Sequence, residues 1–189
     1  FAGLLTIICR FLDSINSSIE WVRFVSSHPK DLSDEVIEVI ANEERLCHHI
    51  HLPVQHGSTK ILKAMNRRYS KEDYLALVDR IRTRIPDVSM TTDVMLGFPG
   101  ETEEDVAETV DLMQKVRYES AFMYYYNIRE GTPAATMGDQ IPVEEKKARL
   151  QKIIDMQLII TREEMRRRVG QEIKVLVQNV SHDTDKELI

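Results

Sequence analysis

Four histidines crowd one short stretch of the chain: His48, His49, His51 and His56. On a strand running from His49 to Val54, side chains alternate between two faces. His49, His51, Pro53 and Gln55 then share one side, and Ile50, Leu52 and Val54 the other. An H-x-H pair on a barrel strand can ligate a metal, and Asp93, late in another expected strand, is the best third ligand. That pattern suggests a metal-dependent hydrolase using His49 and His51. The same residues also fit a polar inner face, with His51, Gln55 and Ser58 as hydrogen-bonding groups near a ligand at the strand's carboxyl end.

Two loops repeat one design. In Gln55-His56-Gly57-Ser58 a strand ends, a glycine makes room, and a hydroxyl residue opens a helix. In Thr91-Thr92-Asp93-Val94-Met95-Leu96-Gly97-Phe98-Pro99-Gly100-Glu101-Thr102 an apolar run, read as a strand covered on both faces, gives way to a glycine turn. Gly97 and Gly100 let backbone approach a ligand without a Cβ in the way. Thr102 caps the next helix, with Asp105 three residues on completing a capping box. Helix amino ends favour anionic groups, and two such loops on neighbouring parallel strands would face one cleft. The alternative is a pair of unrelated caps.

Arg129, in Arg129-Glu130-Gly131-Thr132-Pro133, could grip a substrate carboxylate in bidentate fashion or lie idle on the surface. Two basic clusters, Asn66-Arg67-Arg68-Tyr69 and Arg166-Arg167-Arg168, lie near helix carboxyl ends, where cations are favourable in any case. Contact with RNA phosphates is their functional alternative.

These groups need a scaffold, and the hydrophobic pattern supplies one. Strands are expected at Trp21–Ser26, His49–Val54, Val88–Leu96 and Ala121–Ile128. Helices are expected at Leu32–Asn42 (capped by Ser33), from Ser58 through Met65, from Ser70 through Arg84, and at Glu103–Val116. Tyr74, Leu75, Leu77, Val78 and Ile81 form one stripe of the third. Strands alternating with amphipathic helices argue for a parallel sheet. Four strands are too few for a closed eight-stranded barrel, so the fold class is α/β with an open or partial barrel, lacking strands on its amino-terminal side. Pro142–Val169 reads as one long helix, with Leu150, Ile153, Ile154, Leu158 and Ile160 as its apolar positions. Gly170 stops it, and Ile173–Val180 alternates like the first strand of a further domain.

The chain has 189 residues, 42% of them hydrophobic and 30% charged, with a formal net charge of −6. One main domain is expected, and a uniformly basic nucleic-acid binder is excluded, though a local basic patch is not. Phe1–Leu12 is apolar, short and interrupted by Arg10, like a helix without its normal upstream partner. No run is long enough to span a membrane and no signal peptide is visible, which suits a cytoplasmic protein. The two cysteines, Cys9 and Cys47, match no zinc or iron–sulfur spacing and read as small core residues. The first residue is Phe, a hint that the chain is an excised piece.

Taken in order, His51-Leu52-Pro53-Val54-Gln55-x-Gly57-Ser58, Lys63-Ala64-Met65-Asn66-Arg67, Thr92-Asp93-x-x-x-Gly97-Phe98-Pro99-Gly100-Glu101-Thr102 and Arg129-x-Gly131-Thr132-Pro133-Ala134 resemble the radical-SAM methylthiotransferases, in their tRNA-modifying, MiaB-type subgroup. The match runs from about Ser27-His28-Pro29 to the chain end. A sister group acting on a ribosomal protein shares the Gly97–Thr102 motif and is the second choice.

The resemblance implies a partial (β/α)6, TIM-like barrel over residues 1–168 and the start of a small β-rich TRAM domain over 169–189. It implies S-adenosylmethionine as cofactor and two [4Fe–4S] clusters in the full-length protein. It also implies the family's chemistry: a 5′-deoxyadenosyl radical abstracts hydrogen from C2 of an N6-isopentenyl adenine in the tRNA anticodon loop, and a methylthio group is installed there. The cofactor-binding residues carried over by position are His51, Gln55, Ser58, Asp93, Gly97, Glu101 and Arg129. The family's cluster needs three cysteines spaced C-x3-C-x2-C, expected upstream of residue 1. Cys9 and Cys47 do not replace them, so the chain alone is expected to be inactive. His56 stands where the family often has Ser. A sheet edge left bare by missing strands would invite dimerisation.

Overall fold

In a computed structural model, residues 1–25, 28–177, 179–180 and 184 are described. Three parallel strands lie in the order β1 (His49–His51), β2 (Ser89–Leu96), β3 (Ser120–Tyr125). His51 sits opposite Thr91, and Leu96 opposite Tyr125. The helices are α1 (Ala2–Ser14), α2 (Asp34–Asn42), α3 (Thr59–Ala64), α4 (Lys71–Arg84), α5 (Glu103–Val116) and α6 (Val143–Arg167).

The helices cover one face of the sheet. Ile50, Leu52, Met90, Val94 and Leu96 join Ile40, Tyr74, Ile81, Val106, Leu112 and Ile153 in a single core. Burial of such side chains contributes roughly 1.5–3 kcal/mol each. The other face stays open, so β2 alternates buried and half-buried residues instead of being covered on both sides as its apolar run suggested. Met95 accordingly faces away from the main core, in a small cluster with Ile61, Phe98 and Tyr126.

The caps explain where the helices start. Ser33 accepts from the Val36 amide, and Ser70/Asp73 and Thr102/Asp105 both form complete capping boxes. Gly170, at φ +88°, follows the end of α6.

Several expected boundaries move. Pro53 carries no N–H, so β1 stops at His51, and pairing with β2 resumes only at Gln55 opposite Val94. Of the expected Trp21–Ser26 strand only Val22 pairs, bridging Leu46, while Val25 is exposed. Ser26 and Ser27 lie outside the described residues. β3 ends at Tyr125, short of Ile128. Leu158 of α6 points outward, 48% exposed. Residues 171–177 form no strand, and Ile173, Val175 and Leu176 are exposed. The stretch from Ser181 on lies outside the described residues apart from Thr184. With β1 only three residues long, the edge it offers a second copy is short, and the expected dimer gains no support. No helix among the described residues is long and apolar enough to cross a membrane.

Candidate functional site at the carboxyl edge of the sheet

The two glycine loops lie side by side, bound by a buried polar clamp. The Ser58 amide donates to His56 Nδ1 at 2.9 Å, which places the ring proton on Nε2, facing Glu101 Oε2 at 2.9 Å. The His56 and Glu101 side chains are wholly buried. Glu101 Oε2 also accepts from the Gly97 amide (2.8 Å), and Oε1 accepts from Arg149 (2.9 Å). A buried carboxylate is tolerated because its oxygens are so fully partnered.

Beside it, Ser58 Oγ donates to Asp105 (2.6 Å), and Lys60 Nζ bridges Asp105 (2.7 Å) and the Gly100 carbonyl (3.0 Å). Ser58 therefore ties two loops together; contrary to the cap expected from sequence, its side chain does not cap its own helix. Gly97, at φ +73°, leaves room for α6, since a Cβ there would lie 2.4 Å from Lys146 Cγ. Lys146 donates to the Tyr126 carbonyl at 3.0 Å, and burial pushes its pKa down, opposed by Glu101.

In front of the clamp opens a cavity of about 640 Å³. Gln55 follows β1, Met95 and Phe98 mark the end of β2, and Tyr124, Asn127 and Arg129 come from β3 and the loop beyond it. This is a ligand-sized hollow with apolar walls and a few polar groups. Of the residues expected from sequence, Gln55 and Arg129 lie on its surface. Ser58, Gly97 and Glu101 lie in the clamp and do not line the cavity.

His51 and Asp93 occupy the open sheet face. His51 Nδ1 is 2.9 Å from Thr91 Oγ1 and its Nε2 is 3.5 Å from Asp93. Its ring meets Phe122 edge-on at 5.9 Å. Burial, with Arg23 adding repulsion, pushes the His49 pKa down. Among the described residues no three His, Cys, Asp or Glu side chains gather to hold a metal ion. The H-x-H hydrolase reading therefore lacks its third ligand.

Sequence reasoning missed Arg149, Lys146 and Tyr126. A lysine and an arginine three apart on a charged helix look like solvated surface. Both are buried here, because the carboxylate and carbonyl they satisfy belong to loops distant in sequence.

Comparison with known proteins matches this arrangement. The family model of the Radical SAM superfamily matches residues 4–113. A tRNA-2-methylthio-N(6)-dimethylallyladenosine synthase of Treponema pallidum is 52% identical over 92% of this chain and 38% of its own length. The enzyme of the same name from Treponema denticola is 50% identical over 100% of this chain and 42% of its own. The chain thus spans about two fifths of the length of the curated relatives it matches. Coproporphyrinogen III oxidase (HemN) from Escherichia coli, a radical SAM enzyme, superposes with a TM-score of 0.66 over 85% of this chain and 37% of its own, at 16% identity. That likeness speaks to the fold alone. Open parallel sheet, carboxyl-edge cavity and family match converge: the chain belongs to the radical SAM superfamily and is homologous to its tRNA-methylthiotransferase members.

Proposed function

We propose that this chain forms the cofactor-binding and substrate-facing part of a cytoplasmic tRNA methylthiotransferase, which places a methylthio group on C2 of an N6-isopentenyladenosine in the anticodon loop. The observation that carries this reading is the identity of about half the residues with such synthases, spread across nearly the whole chain.

The cavity suits S-adenosylmethionine. Its volume of about 640 Å³ admits a nucleoside with an amino-acid arm, and Phe98 and Tyr124 offer faces for an adenine. Gln55 would hydrogen-bond the adenosyl group and Arg129 would hold the carboxylate. The clamp of His56, Ser58 and Glu101 keeps both loops in place. When bound, the cofactor supplies the methyl group and, in this superfamily, the 5′-deoxyadenosyl radical. The protein's own part is to orient the ligand and exclude water at the strand ends.

The residues present do not fit an iron–sulfur cluster. Cys9 is fully buried in the core, Cys47 is half-buried ahead of β1, and neither belongs to a group of three ligating side chains among the described residues. We further read residues 169–189 as the entry to a TRAM-like domain; the alternating apolar residues Ile173, Val175 and Val177, exposed in the structure, support this.

Mass spectrometry of tRNA nucleosides tests the proposal. The full gene product, expressed in cells lacking their own methylthiotransferase, is expected to restore 2-methylthio-N6-isopentenyladenosine. A methylthio group on a ribosomal protein, with none on tRNA, would overturn it in favour of the sister reading.

A further inference from the structure

Two guanidinium groups, Arg67 and Arg129, line the carboxyl-edge cavity, and no aspartate or glutamate lines it. Neither arginine makes an ion pair or a side-chain hydrogen bond among the described residues. Several arginines elsewhere meet a carboxylate, as Arg45 meets Asp13 at 2.7 Å, Arg117 meets Glu163 at 2.6 Å and Arg149 meets Glu101 at 2.9 Å; what sets Arg67 and Arg129 apart is that they share one cavity. In a chain of net charge −6, a carboxylate-free hollow with two unpaired guanidiniums is built for anions.

S-adenosylmethionine does not satisfy both. It carries one carboxylate beside a sulfonium and an ammonium, so it neutralises one guanidinium at most. Arg68 stands equally near the end of α3, yet lines a different cleft, beside Asp73. The walls add a second pointer. Tyr124 is 53% exposed, and the buried hydroxyl of Tyr126 has no hydrogen-bond partner among the described residues. Aromatic faces beside a guanidinium form a surface on which a base stacks while its backbone phosphate is held.

We propose that Arg67 holds a phosphodiester of the RNA substrate at this cavity, next to the cofactor held by Arg129. The proposal rests on the tRNA-modification reading above and adds the residue that anchors the strand.

The test measures two affinities on the chain across a salt series: that of an unmodified anticodon stem–loop RNA and that of S-adenosylmethionine. Arg67→Gln is expected to weaken RNA binding about tenfold and to flatten the slope of log affinity against log salt by about one. Cofactor affinity is expected to hold within about twofold, and Arg68→Gln to change neither. Arg67→Lys should keep the salt slope but only part of the affinity, since the planar fork is lost. That variant also guards against simple misfolding of the glutamine one.

Unchanged RNA affinity in Arg67→Gln overturns the proposal. So does a loss of cofactor affinity alone, which would make the anion the cofactor's carboxylate, and so does a wild-type chain that binds no RNA at low salt. Methylthiolated tRNA with Arg67→Gln binding RNA normally sinks the anchor and spares the functional reading. Weakened RNA binding with no methylthio product does the reverse.

Discussion

Arg149 grips Glu101 twice, donating to the side-chain carboxylate at 2.9 Å and to the backbone carbonyl at 3.0 Å. The long helix α6 is thereby fastened to the glycine loop after β2. The same guanidinium meets Glu103 at 2.9 Å, so one side chain holds the turn and the first residue of α5. The glycine loop after β2 is thus held by an ion-paired joint between elements nearly fifty residues apart.

Removing the arginine should therefore damage far more than a surface pair would. In Arg149→Ala the Glu101 carboxylate stays buried with one oxygen stripped of its charged partner. Breaking a buried pair from one side costs roughly 3–5 kcal/mol. Urea unfolding of the chain should show a loss of that size, against about 0–1 kcal/mol for Lys147→Ala, whose pair with Glu144 is exposed. Equal losses in the two variants would show that the joint is not structural.

Asp105 predicts a pH dependence. Burial opposes its ionisation, but hydrogen bonds from Lys60, Ser58 and Thr102 outweigh it and hold the carboxyl at about 2, below its ordinary 3.8. A group depressed in the folded state contributes stability above its unfolded pKa and loses that contribution as pH falls towards the folded one. The contribution is roughly 2 kcal/mol. Wild type should exceed Asp105→Asn by about this amount at pH 7, and the gap should close between about pH 4 and pH 2. A gap independent of pH would mean that the carboxylate's charge contributes nothing.

Much of this was readable in advance, for identifiable reasons. The Ser33, Ser70 and Thr102 caps emerge because capping is local: donor and acceptor lie within three residues. The parallel sheet follows from strands alternating with helices. What stayed hidden was pairing across long separations. Glu101 looked like a ligand-binding carboxylate because its partners, His56 and Arg149, stand 45 and 48 residues away. Ser58 looked like a cap for the same reason. The open sheet face was unreadable because Val94-Met95-Leu96 is apolar on both sides, although only one side meets helices in this chain.

The two glycine loops should respond very differently to a single added methyl group. A Cβ on Gly57 would lie 2.3 Å from Thr109 Cα and 2.5 Å from the Glu108 carbonyl oxygen, both backbone atoms of α5. Nothing flexible can yield, so Gly57→Ala should lose about 3 kcal/mol or more. Gly100 has a positive φ of +78° but open space around it. Gly100→Ala should therefore cost only the left-handed penalty, about 1–2 kcal/mol. Urea midpoints rank the two, and a reversed order would mean that the first loop does not touch α5 as described.

Gln55 offers the sharpest separation of stability from binding. Its φ of +68° is a conformation that L side chains rarely adopt, and its side chain makes no hydrogen bond among the described residues while lining the cavity. A residue held in strain without a structural partner suggests a functional reason for its side chain. Glycine at this position removes a left-handed penalty of roughly 1–2 kcal/mol and adds unfolded-state freedom of roughly 0.5–1 kcal/mol. Gln55→Gly should thus be as stable as wild type or slightly more so. Its affinity for S-adenosylmethionine, by equilibrium dialysis on the full-length enzyme, should fall about tenfold for the loss of one or two buried hydrogen bonds. Gln55→Ala should lose the same affinity without the gain in stability, because alanine keeps the Cβ and its strain. If glycine instead destabilises the chain while cofactor binding is untouched, the side chain supports the fold, and the cavity's ligand is held by other groups.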